Sequence, residues 1–93
     1  MAKLTDEEVR RQLKPHPKWS YKDDSLVREF TLQGFMDVIE LVNTVAKVAE
    51  KADHHPDMTI KFKRITFTLS THDEGGVTEK DFNLLRAIEA SAT

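Results

Sequence analysis

The spacing of apolar positions changes along the chain, and each change of period marks a new element. Thr5 followed by Glu8 has capping-box spacing, and Val9 and Leu13 stand one helical turn apart, which predicts a short helix from roughly Thr5 to Leu13. Pro15-His16-Pro17 ends it and leaves His16 as a solvated loop residue. Leu26, Phe30 and Leu32 then alternate with polar neighbours. The polar break Lys22-Asp23-Asp24-Ser25 separates them from Trp19-Ser20-Tyr21, and the pair reads as a β-hairpin with one apolar face.

Gly34 opens the longest periodic segment, which runs from Phe35 to about Ala52 without an internal Gly or Pro. Phe35, Val38, Ile39, Val42, Val45, Ala46 and Ala49 recur at three- and four-residue steps, the signature of an amphipathic helix. Leu41 and Val48 widen the face to roughly 180°, more than the ~100° needed to cover one sheet. The surplus stripe is expected to pack on a second subunit.

From Met58 the period becomes two. Met58, Ile60 and Phe62 alternate with polar residues, and then the phase slips to Ile65, Phe67 and Leu69. A two-residue turn at Lys63-Arg64 accounts for the slip and pairs Phe62 with Ile65, Ile60 with Phe67 and Met58 with Leu69. After His72-Asp73-Glu74 and the Gly75-Gly76 loop, Thr78 begins a last helix, with Asp81 as its fourth residue and Phe82, Leu85 and Ile88 at helical spacing. The order α-β-β-α-β-β-α predicts an α+β fold: two layers, a four-stranded antiparallel sheet with helices on one face.

Composition narrows the function. At 93 residues the chain is expected to form a single domain, 1–93, whose small core makes homo-oligomerisation a natural way to hide remaining apolar area. A composition of 39% hydrophobic and 32% charged residues is that of a globular chain rather than a disordered or membrane one. The net charge of −2 offers phosphate backbones no global attraction, so direct nucleic-acid binding is disfavoured. There are no cysteines, which excludes disulfides and thiolate metal sites. The acidic N-terminal stretch has no apolar run of the kind a signal peptide needs, and the expected localisation is cytoplasmic.

Candidate chemistry gathers where the long helix stops. His54 and His55 sit there among Glu50, Asp53 and Asp57, with Pro56 fixing the stop. Imidazole, with an unperturbed pKa of about 6.5, both gives and takes protons near neutrality. Glu50 and His54 lie one helical turn apart, so the carboxylate is expected to orient that imidazole. The hairpin register returns His72 toward the pair, and Asp81 can line the same mouth. An adjacent His-His on a loop is more often exposed and inert, and convergence with His72 is what separates a site from that reading. A metal site is the rival, but neighbouring histidines on a helix end diverge, and no His-x-His or His-x-x-x-His spacing is present.

The positions Glu50, His54-His55-Pro56, Phe62, His72 and Asp81 resemble the signature of the pterin-4a-carbinolamine dehydratases, and the resemblance extends from Trp19 to the last helix. It implies elimination of water from a 4a-hydroxytetrahydropterin to give the quinonoid dihydropterin, regenerating the cofactor of an aromatic amino-acid hydroxylase. It also implies a homodimer or homotetramer that uses neither a metal nor an organic cofactor. His54, His55 and His72 would be the catalytic set, supported by Glu50, Asp53 and Asp81, with Trp19 or Phe62 supplying an apolar wall. The chain departs from the family's animal members in a shortened first hairpin and in Lys63-Arg64 at the second turn, neither of which touches the signature. Animal relatives also dimerise with a homeodomain transcription factor, and carboxysomal relatives without the active site serve as assembly chaperones. A non-catalytic binding module is therefore the competing class.

Overall fold

Local signals start each helix. In the computed structural model, which describes residues 2–92, α1 (Asp6–Leu13) opens on the expected capping box. Glu8 N–H donates to Thr5 Oγ1 (3.1 Å) and Thr5 N–H donates to Glu8 Oε1 (2.9 Å). The backbone N–H and hydroxyl of Thr5 also hold the Glu8 carboxyl below its ordinary value.

The first hairpin joins β1 (Ser20–Lys22) to β2 (Ser25–Thr31) through Asp23 and Asp24. Both turn residues have positive φ (51° and 58°), the backbone that lets a two-residue turn follow the strands' twist. Gly34 caps α2 (Phe35–Ala52), and β3 (Asp57–Lys61) and β4 (Arg64–Leu69) form the second hairpin. A short 3-10 turn (His72–Glu74) then leads to α3 (Glu79–Ser91). The four strands form one antiparallel sheet in the order β1-β2-β4-β3, and the helices cover one face of it, giving the expected two-layer α+β architecture.

The core lies between those layers. Leu26, Phe30, Ile65, Phe67 and Leu69 point inward from the sheet and meet Val38, Leu41 and Val45 of α2 and Phe82, Leu85 and Ile88 of α3. Phe30 and Phe67 pack edge to face with ring centroids 5.7 Å apart. Each wholly buried side chain of this size contributes roughly 1.5–3 kcal/mol. None of the described helices is long and apolar enough to cross a membrane.

Away from the histidine cluster, the structure differs from the sequence expectation in three places. The second turn is Phe62-Lys63, not Lys63-Arg64, so Ile60 faces Ile65 and Met58 faces Phe67. The cause is the neighbouring strand: Leu32 N–H donates to the Lys63 carbonyl (2.9 Å), which holds that residue in the turn while Phe62 takes a left-handed φ of 54°. The pairing moves by two positions, so each side chain keeps its face.

On α2, Leu41 and Val48 turn toward the core, and the uncovered side carries Phe35 and Met36, which are 46% and 67% exposed. His16 is also not a solvated loop residue. His16 N–H donates to the Leu13 carbonyl (2.8 Å) and Trp19 N–H to the His16 carbonyl (3.1 Å), which folds the loop back. The imidazole Nδ1 then lies 2.8 Å from Glu89 Oε1, and Arg28 Nη1 donates to the other oxygen of that carboxylate (3.3 Å).

Candidate active site

The last turn of α2 decides where the histidines go. Asp53 adopts left-handed torsions (φ 52°, ψ 41°), with its N–H on the Glu50 carbonyl (3.2 Å) and the N–H of His54 on the Ala49 carbonyl (3.1 Å). This pair of bonds around a left-handed residue is a Schellman motif, and aspartate tolerates that backbone better than most side chains. The chain leaves the helix at Asp53, so Glu50 and His54 no longer share a helical edge and the expected pairing does not form. Glu50 Oε2 instead meets His55 Nε2 (2.5 Å), and His54 Nε2 meets Asp81 Oδ1 (2.6 Å).

The two pairs differ in setting. His55 and Glu50 are both largely exposed, with side-chain exposures of 54% and 77%, so their pairing is screened by water. His54 is 12% exposed and Asp81 is wholly buried. A buried carboxylate is tolerated only when its lone pairs are occupied. Asp81 Oδ2 accepts from Thr71 Oγ1 (2.8 Å) and from Thr78 N–H (2.9 Å), the latter bond being half of the capping box that starts α3. The side chain that helps start α3 thus also grips an imidazole.

His72 arrives from the other side. After β4, Thr71 N–H donates to the Gly76 carbonyl (2.9 Å) and closes a small loop, with Gly75 in the left-handed region at φ 75°. The loop holds His72 over the ends of β3 and β4. His54, His55 and His72 all line one cavity of about 320 Å³, together with Asp53, Ser70, Thr71, Asp73 and Lys80. Its walls combine imidazoles, two carboxylates, hydroxyls and one ammonium, a set suited to a small polar heterocycle and to moving protons on it.

The other sequence candidates fall elsewhere. Trp19 is 4% exposed within the hydrophobic core, and Phe62 is 68% exposed at the turn of the second hairpin, the opposite end from the cavity. Neither lines the cavity, and Asp81, expected at its mouth, is instead wholly buried behind His54, as Glu50 stands behind His55. Thr71, Ser70, Asp73 and Lys80 carry no signal in the sequence, and Thr78 is marked there only as the start of the last helix. The Thr78-x-x-Asp81 spacing of a capping box was the one signal that could have pointed to Thr78. Among the described residues, no group of three His, Asp or Glu side chains is arranged to hold a metal ion.

Comparison with known proteins places this geometry in context. Residues 2–91 match the sequence profile of the family described as pterin 4 alpha carbinolamine dehydratase. A Picosynechococcus sp. protein named as a candidate pterin-4-alpha-carbinolamine dehydratase is 45% identical over 83 residues, covering 89% of this chain and 90% of that one. A Mycobacteroides abscessus protein with the same candidate name is 45% identical over 89 residues, covering 96% of this chain and 95% of its own length. The crystal structure of a transcriptional coactivator/pterin dehydratase from Brucella melitensis superposes with a TM-score of 0.94 at 33% identity, over 98% of this chain and 99% of that one. A pterin dehydratase-like protein identified as a RuBisCO assembly factor in the alpha-carboxysome shares the fold alone, with a TM-score of 0.67 at 16% identity over 80% of this chain and 86% of that one. With its profile match spanning nearly the whole length and these relatives on either side, the chain belongs to the pterin 4 alpha carbinolamine dehydratase family.

Proposed function

We propose that the chain is a hydro-lyase that eliminates water from 4a-hydroxytetrahydropterin to give the quinonoid dihydropterin. The observation that carries this reading is the convergence of His54, His55 and His72 on one cavity, with His54 held by a buried carboxylate. A volume near 320 Å³ lies at the lower end of the ~300–1,000 Å³ of small-molecule pockets, in keeping with a bicyclic substrate.

The reaction breaks the C4a–O bond, forms the N5=C4a double bond, removes the N5 proton and delivers a proton to the departing hydroxyl. An acid and a base with pKa values near the working pH suffice, and positioned proton transfer of this kind contributes ~10²- to 10⁴-fold. His54 and His72 exchange the two protons, and His55 hydrogen-bonds the 4a-hydroxyl. Asp81 orients His54, and Glu50 orients His55. Asp53 and Lys80 border the cavity and meet the polar edge of the ring. The product is the oxidised pterin that an aromatic amino-acid hydroxylase needs reduced and returned, which is the functional link this activity supplies.

Self-association belongs to the same reading. Phe35, Met36, Met58, Ile60 and Phe62 are large apolar side chains left exposed, and three of them lie on edge strand β3 or its turn. An unpaired strand edge beside apolar side chains is covered in most proteins, here by a second copy in a homodimer or homotetramer.

The test is stopped-flow dehydration of synthetic carbinolamine. Wild type should accelerate it, and the double variant His54→Ala/His72→Ala should be silent while keeping its circular dichroism. Near-normal rates in that folded variant refute the assignment. No turnover by wild type favours a protein-binding module, the role that the Brucella protein's description as a coactivator brings forward.

A further inference from the structure

Behind His54 and Asp81 lies a chain of hydroxyls whose proton directions follow from the geometry. Thr71 Oγ1 donates to Asp81 Oδ2 (2.8 Å), and Thr71 Oγ1 and Thr78 Oγ1 are 2.8 Å apart. A threonine hydroxyl has a single proton. Since Thr71 spends its proton on Asp81, Thr78 must donate to Thr71. Thr78 Oγ1 in turn accepts from Lys80 N–H (3.2 Å), the backbone donor at the start of α3. All three side chains are buried: Thr78 and Asp81 completely, and Thr71 to within 8%. Only Thr71, at the cavity wall, has any contact with solvent.

Every donor in this run therefore points toward Asp81. Thr71 O–H and Thr78 N–H both point at Oδ2, which therefore carries no proton, and they favour the ionised carboxylate, whose Oδ1 can only accept; the bond to His54 then places the imidazole proton on Nε2. The nitrogen left to exchange protons is Nδ1.

We infer that Thr71 and Thr78 form a proton-ordered relay that, through Asp81, locks His54 in the Nε2–H tautomer and presents Nδ1 as the exchanging nitrogen. Thr71 is then a positioning residue that acts on the chemistry at one remove, much as a group behind a first ligand fixes its orientation. The tautomer claim stands on geometry alone, whereas its catalytic consequence rests on the dehydratase reading.

The two halves separate experimentally. Nitrogen-15 NMR of the full chain, above the imidazole titration range, reports the tautomer of each ring, with His54 assigned by its loss in His54→Gln. Wild-type His54 is expected as Nε2–H. Thr71→Ser keeps the hydroxyl and should keep both tautomer and rate. Thr71→Val removes the donor while preserving shape, and should show mixed tautomers with kcat down about tenfold to a hundredfold and KM little changed. A wild-type His54 protonated on Nδ1 overturns the relay and needs no variant to fold. So does a folded Thr71→Val protein with an unaltered tautomer. If wild type shows the Nε2–H signature and Thr71→Val disturbs it, yet wild type does not turn over carbinolamine, the relay stands and the dehydratase reading falls.

Discussion

Asp81 offers a sharp test, because one side chain caps a helix and holds an imidazole, and two substitutions pull these tasks apart. Asp81→Asn retains one carbonyl oxygen. Thr71 O–H and Thr78 N–H both need an acceptor where Oδ2 stands, so the amide oxygen is expected to settle there and turn its NH₂ toward His54. The imidazole must then accept at Nε2 and carry its proton on Nδ1. The helix cap survives, and the charge-assisted carboxylate–imidazole bond gives way to a neutral amide–imidazole one, a loss of about 1 kcal/mol. Dehydration should fall by ~10²- to 10⁴-fold, since the tautomer is wrong for the proposed exchange.

Asp81→Ala goes further. It takes the acceptor from Thr78 N–H and from the Thr71 hydroxyl in a largely buried region, at about 1–3 kcal/mol for each unsatisfied group. Together with the lost charge-assisted imidazole bond, about 1.5–3 kcal/mol, the cost is roughly 4–9 kcal/mol, of the order of the whole ~5–15 kcal/mol stability of a small domain. Urea unfolding followed by the fluorescence of Trp19, the only tryptophan, measures both variants against wild type. The Asn variant should fold with a modest loss, and the Ala variant should be largely unfolded. Equal stability of the two, or a near-normal rate for Asp81→Asn, refutes the reasoning.

Other consequences are open to measurement. Tyr21, the only tyrosine, donates its hydroxyl to Asp6 (2.7 Å), and that bond, with burial, pushes its pKa from 10 up to about 12. A folded pKa raised in this way means the interaction stabilises fully below pH 10 and is lost as pH rises through about 12. Asp6→Asn should therefore lower the midpoint seen by phenolate absorbance, and an unmoved midpoint would show the bond is not its cause. Glu89→Gln removes the shared partner of His16 and Arg28, each 15% exposed, and should destabilise by roughly 1–3 kcal/mol in urea; no change would mean the cluster contributes nothing net. Analytical ultracentrifugation at micromolar concentration should show a dimer or tetramer, and Phe35→Ser with Met36→Ser should shift it toward monomer; a strictly monomeric wild type ends the self-association reading.

Much of the fold was legible because its signals are local. The Thr5-to-Glu8 capping box, the glycine opening α2 and the apolar periods act within a few residues, so they survive into the structure nearly unchanged. The second hairpin shows where such signals stop. Alternation specifies which face a residue occupies but is blind to a slip of two positions, whereas the β2 ladder pairs Thr31 with Arg64, and Leu32 N–H meets the Lys63 carbonyl, which keeps Arg64 in β4 and out of the turn. The environment of His16 is equally out of reach of local signals, since its partner Glu89 lies 73 positions away.

The amino-acid order by itself settled the succession of helices and strands and the layers they form, and it nominated three imidazoles and attendant acids as a candidate site. It did not settle which acid serves which imidazole. That was decided by one left-handed residue at the end of α2, which turned His54 away from Glu50, and by the burial of Asp81 at the start of α3, where a carboxylate removed from water must gather every nearby donor. Torsion at a helix end and the cost of dehydrating a charge are properties of the packed molecule, and they drew His54, Thr71 and Thr78 around the same side chain.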